Sequence, residues 1–286
     1  MSPSRRKGRR GWIVLAAAAL VVVVGIALYT TGLGDELARR NTCRATAAGG
    51  TAHLSADQTR YATLIAAGSI KHDLPPRAAT IALATALQES DLENLDHGHA
   101  DSVGLFQQRP SMGWGSAEEL QDPSVATDKF YAALARIPGY TSMSITDAAQ
   151  RVQISARGDA YAQHEARSRS LASALTGETP AAFTCTEMND AGDWTTGQVA
   201  DQLTDAFGLV ATPVGDRVTV KISSRPGPAT SAEAARWAVA AWAIGNTGQA
   251  AITTVSTSGR TWTVDGGWRA DALAPETAVV ITLGSG

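Results

Sequence analysis

The chain holds 286 residues, of which 44% are hydrophobic, enough for about two cores at roughly 150 residues per domain. Five of its 24 basic side chains fall in the run RRKGRR at residues 5–10, so the remainder carries 19 basic against 27 acidic groups, a net charge of −8. That balance excludes nucleic acid and anionic lipid surfaces as partners for everything beyond residue 10.

Residues 11–29, GWIVLAAAALVVVVGIALY, carry no charge. At about 1.5 Å per residue they can just span the roughly 30 Å hydrocarbon layer of a bilayer. Behind the basic segment 1–10 they predict a single transmembrane helix, with the N-terminus cytoplasmic and the bulk of the chain outside the cell membrane. A cleaved signal peptide is the competing reading, but the run exceeds the usual h-region of about 7 to 15 residues and no A-x-A site follows Tyr29. Residues 30–51, rich in Gly, Thr and Arg and without a sustained period, read as a stalk.

From Ser55 to Gly177 the pattern is helical. Ser55 and Gln58 have capping-box spacing ahead of Tyr61, Leu64 and Ile65. Pro75 and Pro76 open a second helix, where a missing N–H does no harm, and its body RAATIALATAL is apolar all round, which predicts burial at the domain centre. Between Asp91 and Asp122 the period fails and Gly98, Gly104, Gly113 and Gly115 accumulate, as in a long functional loop. Helices resume near Ser124 with Phe130, Tyr131, Leu134 and Ile137 on one face, near Thr146 with Ala149, Val152 and Gln153, and from about Asp159 to Leu175, with Gly177 as the stop. Together these make a mainly α domain over residues 52–185.

Beyond Cys185 the character changes. WTTGQVADQLTDAFGL and SAEAARWAVAAWAIGN read as helices, DRVTVKI, AAITTVS, RTWTVD and TAVVITL as short strands, and Ser258-Gly259 as a hairpin turn. The outcome is a small α+β domain over 193–286. Trp194, Trp237, Trp242, Trp262 and Trp268 all lie in it. Trp237, Ala241 and Ile244 follow helical spacing and Trp262 and Val264 share a strand face, so core is the favoured reading and carbohydrate stacking the alternative. Trp114 is read either as a sugar-stacking ring or as a cap on the helical core.

The only cysteines, Cys43 and Cys185, flank the helical domain. They predict a disulfide tying its ends, against the alternative of two unpaired thiols. No spacing implies a cofactor or a metal, and His97 with His99 in DHGHAD is too small a ligand set to hold one.

Glu89 ends the apolar second helix, where desolvation and the negative end of the helix dipole both favour the neutral carboxyl. A carboxylic acid protonated near neutral pH is what a glycosidase uses to protonate the oxygen leaving the sugar. The plainer alternative is a solvated residue that merely begins the loop.

Taken in order, QES at 88–90, Asn94, DSVGLFQQRP at 101–110, DPSVATDKFYAAL at 122–134, AAQRVQISA at 148–156 and Tyr161 resemble the lysozyme-like lytic transglycosylase domain, most closely a membrane-bound or secreted actinobacterial branch. The resemblance covers about residues 55–177. It implies a mainly α, lysozyme-like fold that cleaves the β-1,4 MurNAc–GlcNAc bond of peptidoglycan outside the cell. Carried over by position, it makes Glu89 the catalytic acid and then base, with Ser90 beside it holding the site. Gly104, Leu105, Phe106 and Gln107 become the segment lining the glycan cleft, where Gly104 permits close approach and Gln107 offers donor and acceptor to the sugar.

Relatives carry Tyr-Asn where this chain has Val152 and Gln153. Gln153 keeps an amide for the substrate, Val152 brings no hydroxyl, and Tyr161 is the candidate to supply it. None of Asp91, Asp96 and Asp101 stands at a family position for a second carboxylate. The resemblance therefore implies a single-acid mechanism with a 1,6-anhydro product, hydrolysis and a non-catalytic glycan-binding scaffold being the alternatives. It also implies peptidoglycan glycan strands as the partner, with envelope proteins as candidate partners of the C-terminal domain.

Overall fold

A computed structural model describes residues 42–153, 158–186 and 192–284. Thr42 begins a strand where a stalk was expected. In β1 (Thr42–Ala47) Cys43, Ala45 and Ala47 point inward while Arg44 and Thr46 face out, and β2 (Gly50–Ser55) repeats the alternation with Ala52 and Leu54 inward. Ala48 and Gly49 join them, both at positive φ (51° and 77°), the twist a two-residue hairpin needs. The other edge of β1 pairs antiparallel with β3 (Phe183–Cys185), giving the order β2-β1-β3. Residues 42–51 are thus sheet. Their inward members are mostly Cys and Ala, so a period of two leaves little trace in hydropathy. In that register Cys43 lies opposite Cys185, and the two are joined by a disulfide.

Helix α1 (Ala56–Lys71) starts from the Ser55/Gln58 capping box, and α2 (Pro76–Ser90) buries every residue from Ala78 to Leu87. The loop beyond α2 contains a short helix that its polar sequence did not announce, α3 (Ala117–Gln121), opened by a second capping box from Ser116 and Glu119. Then follow α4 (Pro123–Ala135) and α5 (Ile145–Gln153). The helix expected from Asp159 is a 3₁₀ stretch over Gly158–His164 before α6 (Glu165–Leu175) begins. Helices α1, α4, α5 and α6 all pack on α2, which explains why a helix without a polar face is stable there.

The C-terminal part contributes α7 (Thr196–Phe207), β4 (Ala211–Val214), β5 (Arg217–Lys221), α8 (Ala232–Gly245), β6 (Ile252–Thr257), β7 (Arg260–Thr263), β8 (Gly267–Ala270) and β9 (Ala278–Leu283). Its six strands form one antiparallel sheet in the order β4-β5-β9-β6-β7-β8. Helix α8 lies between this sheet and α1. At their contact a Cβ on Gly245 would come within 2.7 Å of Thr63 and 2.9 Å of Thr59, so only glycine permits this approach. The indole N–H groups of Trp262 and Trp268 donate to Thr184 Oγ1 and to Phe183 O, both at 2.9 Å, tying β7 and β8 to β3. One hydrophobic core runs through Asn41–Gly286, which forms a single compact unit.

The expectation of a mainly α, lysozyme-like fold with a transmembrane helix is therefore corrected. The described residues form eight α-helices and two antiparallel sheets, and the three-stranded sheet is built from residues on both sides of the helices. A single-pass membrane placement is not supported either, because no described helix is long and apolar enough to cross a bilayer. The basic segment 1–10, the span 11–29 and most of the stalk lie outside the described residues.

Candidate active site

The last turn of α2 carries Glu89, half-buried, at the end of a helix that has no water-facing side over its preceding ten residues. Asp91 (φ 52°) and Leu92 (φ 62°) then turn the chain sharply away. Tyr161, fully buried in the 3₁₀ stretch before α6, donates its hydroxyl hydrogen to Glu89 Oε1 at 2.5 Å. Burial pushes the Glu89 carboxyl above its ordinary value. The Tyr161 hydroxyl favours the anion and opposes that rise without cancelling it. The carboxyl is thus biased toward its protonated form and has a donor already aimed at it.

The residues around Glu89 clasp the following loop rather than present themselves to a ligand. Ser90 is buried, and its hydroxyl lies 2.7 Å from Leu105 O and 3.0 Å from Ala86 O, both of which can accept. Gln153, at the end of α5, donates Nε2 to Phe106 O at 2.5 Å. Two successive carbonyls are therefore held from two different helices. Leu105 and Phe106 themselves are core, and the Phe106 ring stacks on Phe130 with centroids 4.5 Å apart.

Gly104 (φ 78°) is required by a close approach of backbone to backbone, since a Cβ there would lie 2.4 Å from Leu120 O. Gln107 Nε2 reaches His97 O at 3.1 Å and Gly104 O at 3.4 Å, and its Oε1 lies 3.2 Å from the Ser102 hydroxyl. The amides of Gln107 and Gln153, expected to meet a sugar, are both engaged within the chain.

No protein-family model and no curated protein matches the chain. The chemistry rests on geometry alone.

The aspartates near Glu89 in sequence are engaged elsewhere. Asp91 lies 3.7 Å from Arg167, and Asp96 pairs on the surface with His97 at 2.7 Å. Asp101 takes Arg109 Nε at 2.8 Å and the Ser111 amide at 2.7 Å, and these contacts hold its carboxyl down to about 2. Among the described residues no group of three or more His, Cys, Asp and Glu is arranged to hold a metal. Val152 is buried and adds only apolar contact, and Trp114 packs partly buried against the helical core.

A polar cluster beside the site was not anticipated. Gln88 Oε1 accepts from Gln163 Nε2 at 3.0 Å and lies 3.2 Å from His164 Nε2. Burial, helped by Arg167, lowers the His164 imidazole, which is therefore neutral near pH 7. Only the position of Gln88 next to Glu89 could have flagged this cluster, since its partners lie about 75 residues further on.

Proposed function

We propose that the chain cleaves the β-1,4 bond between MurNAc and GlcNAc in peptidoglycan, with Glu89 as general acid and then base. One observation carries the reading: a half-buried carboxyl, raised by desolvation, ends an apolar helix under the hydroxyl of Tyr161. The protonated carboxyl gives its proton to the glycosidic oxygen as the C1–O bond breaks. The carboxylate left behind is stabilised by the Tyr161 hydroxyl. The acetamido oxygen of the substrate steadies C1, and the 6-hydroxyl oxygen of the same sugar then bonds to C1 while its proton returns to Glu89. The product is a 1,6-anhydro sugar. Engagement of Asp91, Asp96 and Asp101 elsewhere leaves none of them to serve a two-carboxylate hydrolysis, while attack of water in place of the 6-hydroxyl on the acetamido-stabilised C1 would give the hydrolytic product from the same first step.

The test is digestion of purified sacculi by wild type and by Glu89→Gln, followed by mass spectrometry of the soluble fragments. Anhydro-muropeptides from wild type and none from the variant are expected. Products heavier by one water would replace the anhydro mechanism with hydrolysis, and equal activity of the variant would end the assignment of Glu89.

A further inference from the structure

A cavity of about 520 Å³ opens between α1, α3, the start of α4, α7 and the end of α8. Its size falls within the roughly 300–1,000 Å³ of small-molecule sites. It is built from none of the side chains that surround Glu89.

Three rings form its walls: Tyr61 on α1, Trp194 ahead of α7, and Trp242 on α8, the last only 3% exposed. Trp194 is fixed by its own backbone, whose N–H donates to Gln249 O at 3.2 Å one residue before Thr195 caps α7. Glu118, Gln202 and Asp205 also line the cavity and, among the described residues, make no side-chain hydrogen bond or ion pair. The charge is lopsided. Glu118, Asp122 and Asp205 line it, Asp122 with its carboxylate accepting from the Ser124 and Val125 N–H groups at the start of α4, against the single guanidinium of Arg60, which sits 5.6 Å over the Tyr61 ring.

An anionic ligand is disfavoured by that balance. Flat rings together with unengaged amide and carboxylate groups suit a molecule whose faces are C–H and whose rim is hydroxyl. We propose that this cavity binds an uncharged oligosaccharide. A sugar ring stacks on Trp194, its hydroxyls donate to Asp205 and Glu118, and Gln202 both donates and accepts. A cationic peptide is the competing occupant, since its charges would answer the carboxylates and stack on the rings, and tetralysine is therefore the control probe.

This inference does not rest on the reading of Glu89. It is tested on the full chain carrying Glu89→Gln, so that the probe is not consumed, titrated with the β-1,4-linked tetramer of N-acetylglucosamine. Calorimetry gives the affinity, and the indole N–H resonances locate the site, that of Trp194 being assigned by its loss in Trp194→Phe. The Trp194 resonance is expected to shift saturably. Trp194→Ala, and Gln202→Ala at an exposed position with no packing to lose, should each weaken binding on the order of tenfold.

Absent binding, affinity unchanged in both variants, or a Trp194 shift produced by tetralysine and not by the tetramer would overturn the proposal. Binding of the tetramer by a wild-type chain that releases nothing from sacculi would sink the glycosidase reading and leave this one standing.

Discussion

Helices α2 and α8 solve the same problem in opposite ways. Both bury a continuous run, Ala78–Leu87 of α2 among helices and Trp237–Gly245 of α8 between a sheet and α1. Each must finish with a polar residue at the negative end of its dipole. Helix α8 finishes on Asn246, 3% exposed, whose Nδ2 donates to the Trp242 carbonyl one turn back at 2.8 Å. That amide adds a second donor to a carbonyl that already accepts the Asn246 backbone N–H, and it carries no charge. Helix α2 ends at Ser90 and carries Glu89 in its last turn, where burial disfavours the anion. A neutral amide at a buried helix end carries no desolvation penalty for charge, so a half-buried carboxyl in the last turn of α2 is a candidate for chemistry.

Giving the last turn of α2 an uncharged amide should have the largest effect. Glu89→Gln is expected to lower the cleavage rate by about 10² to 10⁴, the usual share of general acid–base catalysis, as measured by muropeptide release. The same variant should be more stable than wild type at neutral pH. A carboxyl raised in the folded state supports folding fully below its unfolded value of about 4.3 and loses that support as pH rises through the raised native value. The stability gap between variant and wild type should therefore open across that window and stay constant above it, and denaturant melts that keep the two parallel at every pH would remove the desolvated carboxyl from the account.

The converse exchange should cost nearly as much. Asn246→Asp places a carboxylate at a helix end only 3% exposed, a loss of about 3–5 kcal/mol at neutral pH. Its folded value would be raised, so the loss should shrink as pH falls toward about 3.9, and a loss independent of pH would show that charge is not the cause.

Smaller effects sharpen the α2 side. Ser90→Ala leaves the Leu105 carbonyl without its side-chain donor and should cost about 1–3 kcal/mol in urea unfolding, with any fall in activity following the displaced loop. Tyr161→Phe removes the donor that favours the Glu89 anion. The alkaline limb of the rate profile should then move to higher pH, and a limb that stays in place or moves down would detach Tyr161 from the acid.

Much of this comparison was legible before any coordinates. The Ser55/Gln58 box, the unbroken apolar run of α2, the helical spacing of α8 and the Ser258-Gly259 turn are local signals, and each marks the element that forms. Glu89 was legible for the same reason, because its helix and its end can be read from one stretch. What was not legible depends on partners far away. Strand β1 pairs with β2 across a two-residue turn and with β3 about 140 residues later, and its inward alanines carry almost no period. Gln153 and Ser90 look like substrate amide and hydroxyl until the carbonyls of Leu105 and Phe106 are seen beneath them. The join between the two parts rests on Gly245, which as a lone glycine at a helix end reads only as a stop.

The bridge between Cys43 and Cys185 also bears on how the molecule carries mechanical load. It spans a sequence separation of 142 residues at the point where β1 and β3 lie side by side. Tension that enters at Thr42 and leaves at Thr186 passes through this one covalent link and bypasses everything between, including α2, Tyr161 and the clasped loop. In an optical trap with handles at these two positions, the oxidised chain should lengthen only after reductant is added, and stepwise extension without reductant would contradict this. The acid and its neighbours thus sit in a slack circuit, their geometry insulated from whatever pulls on the two ends of that segment.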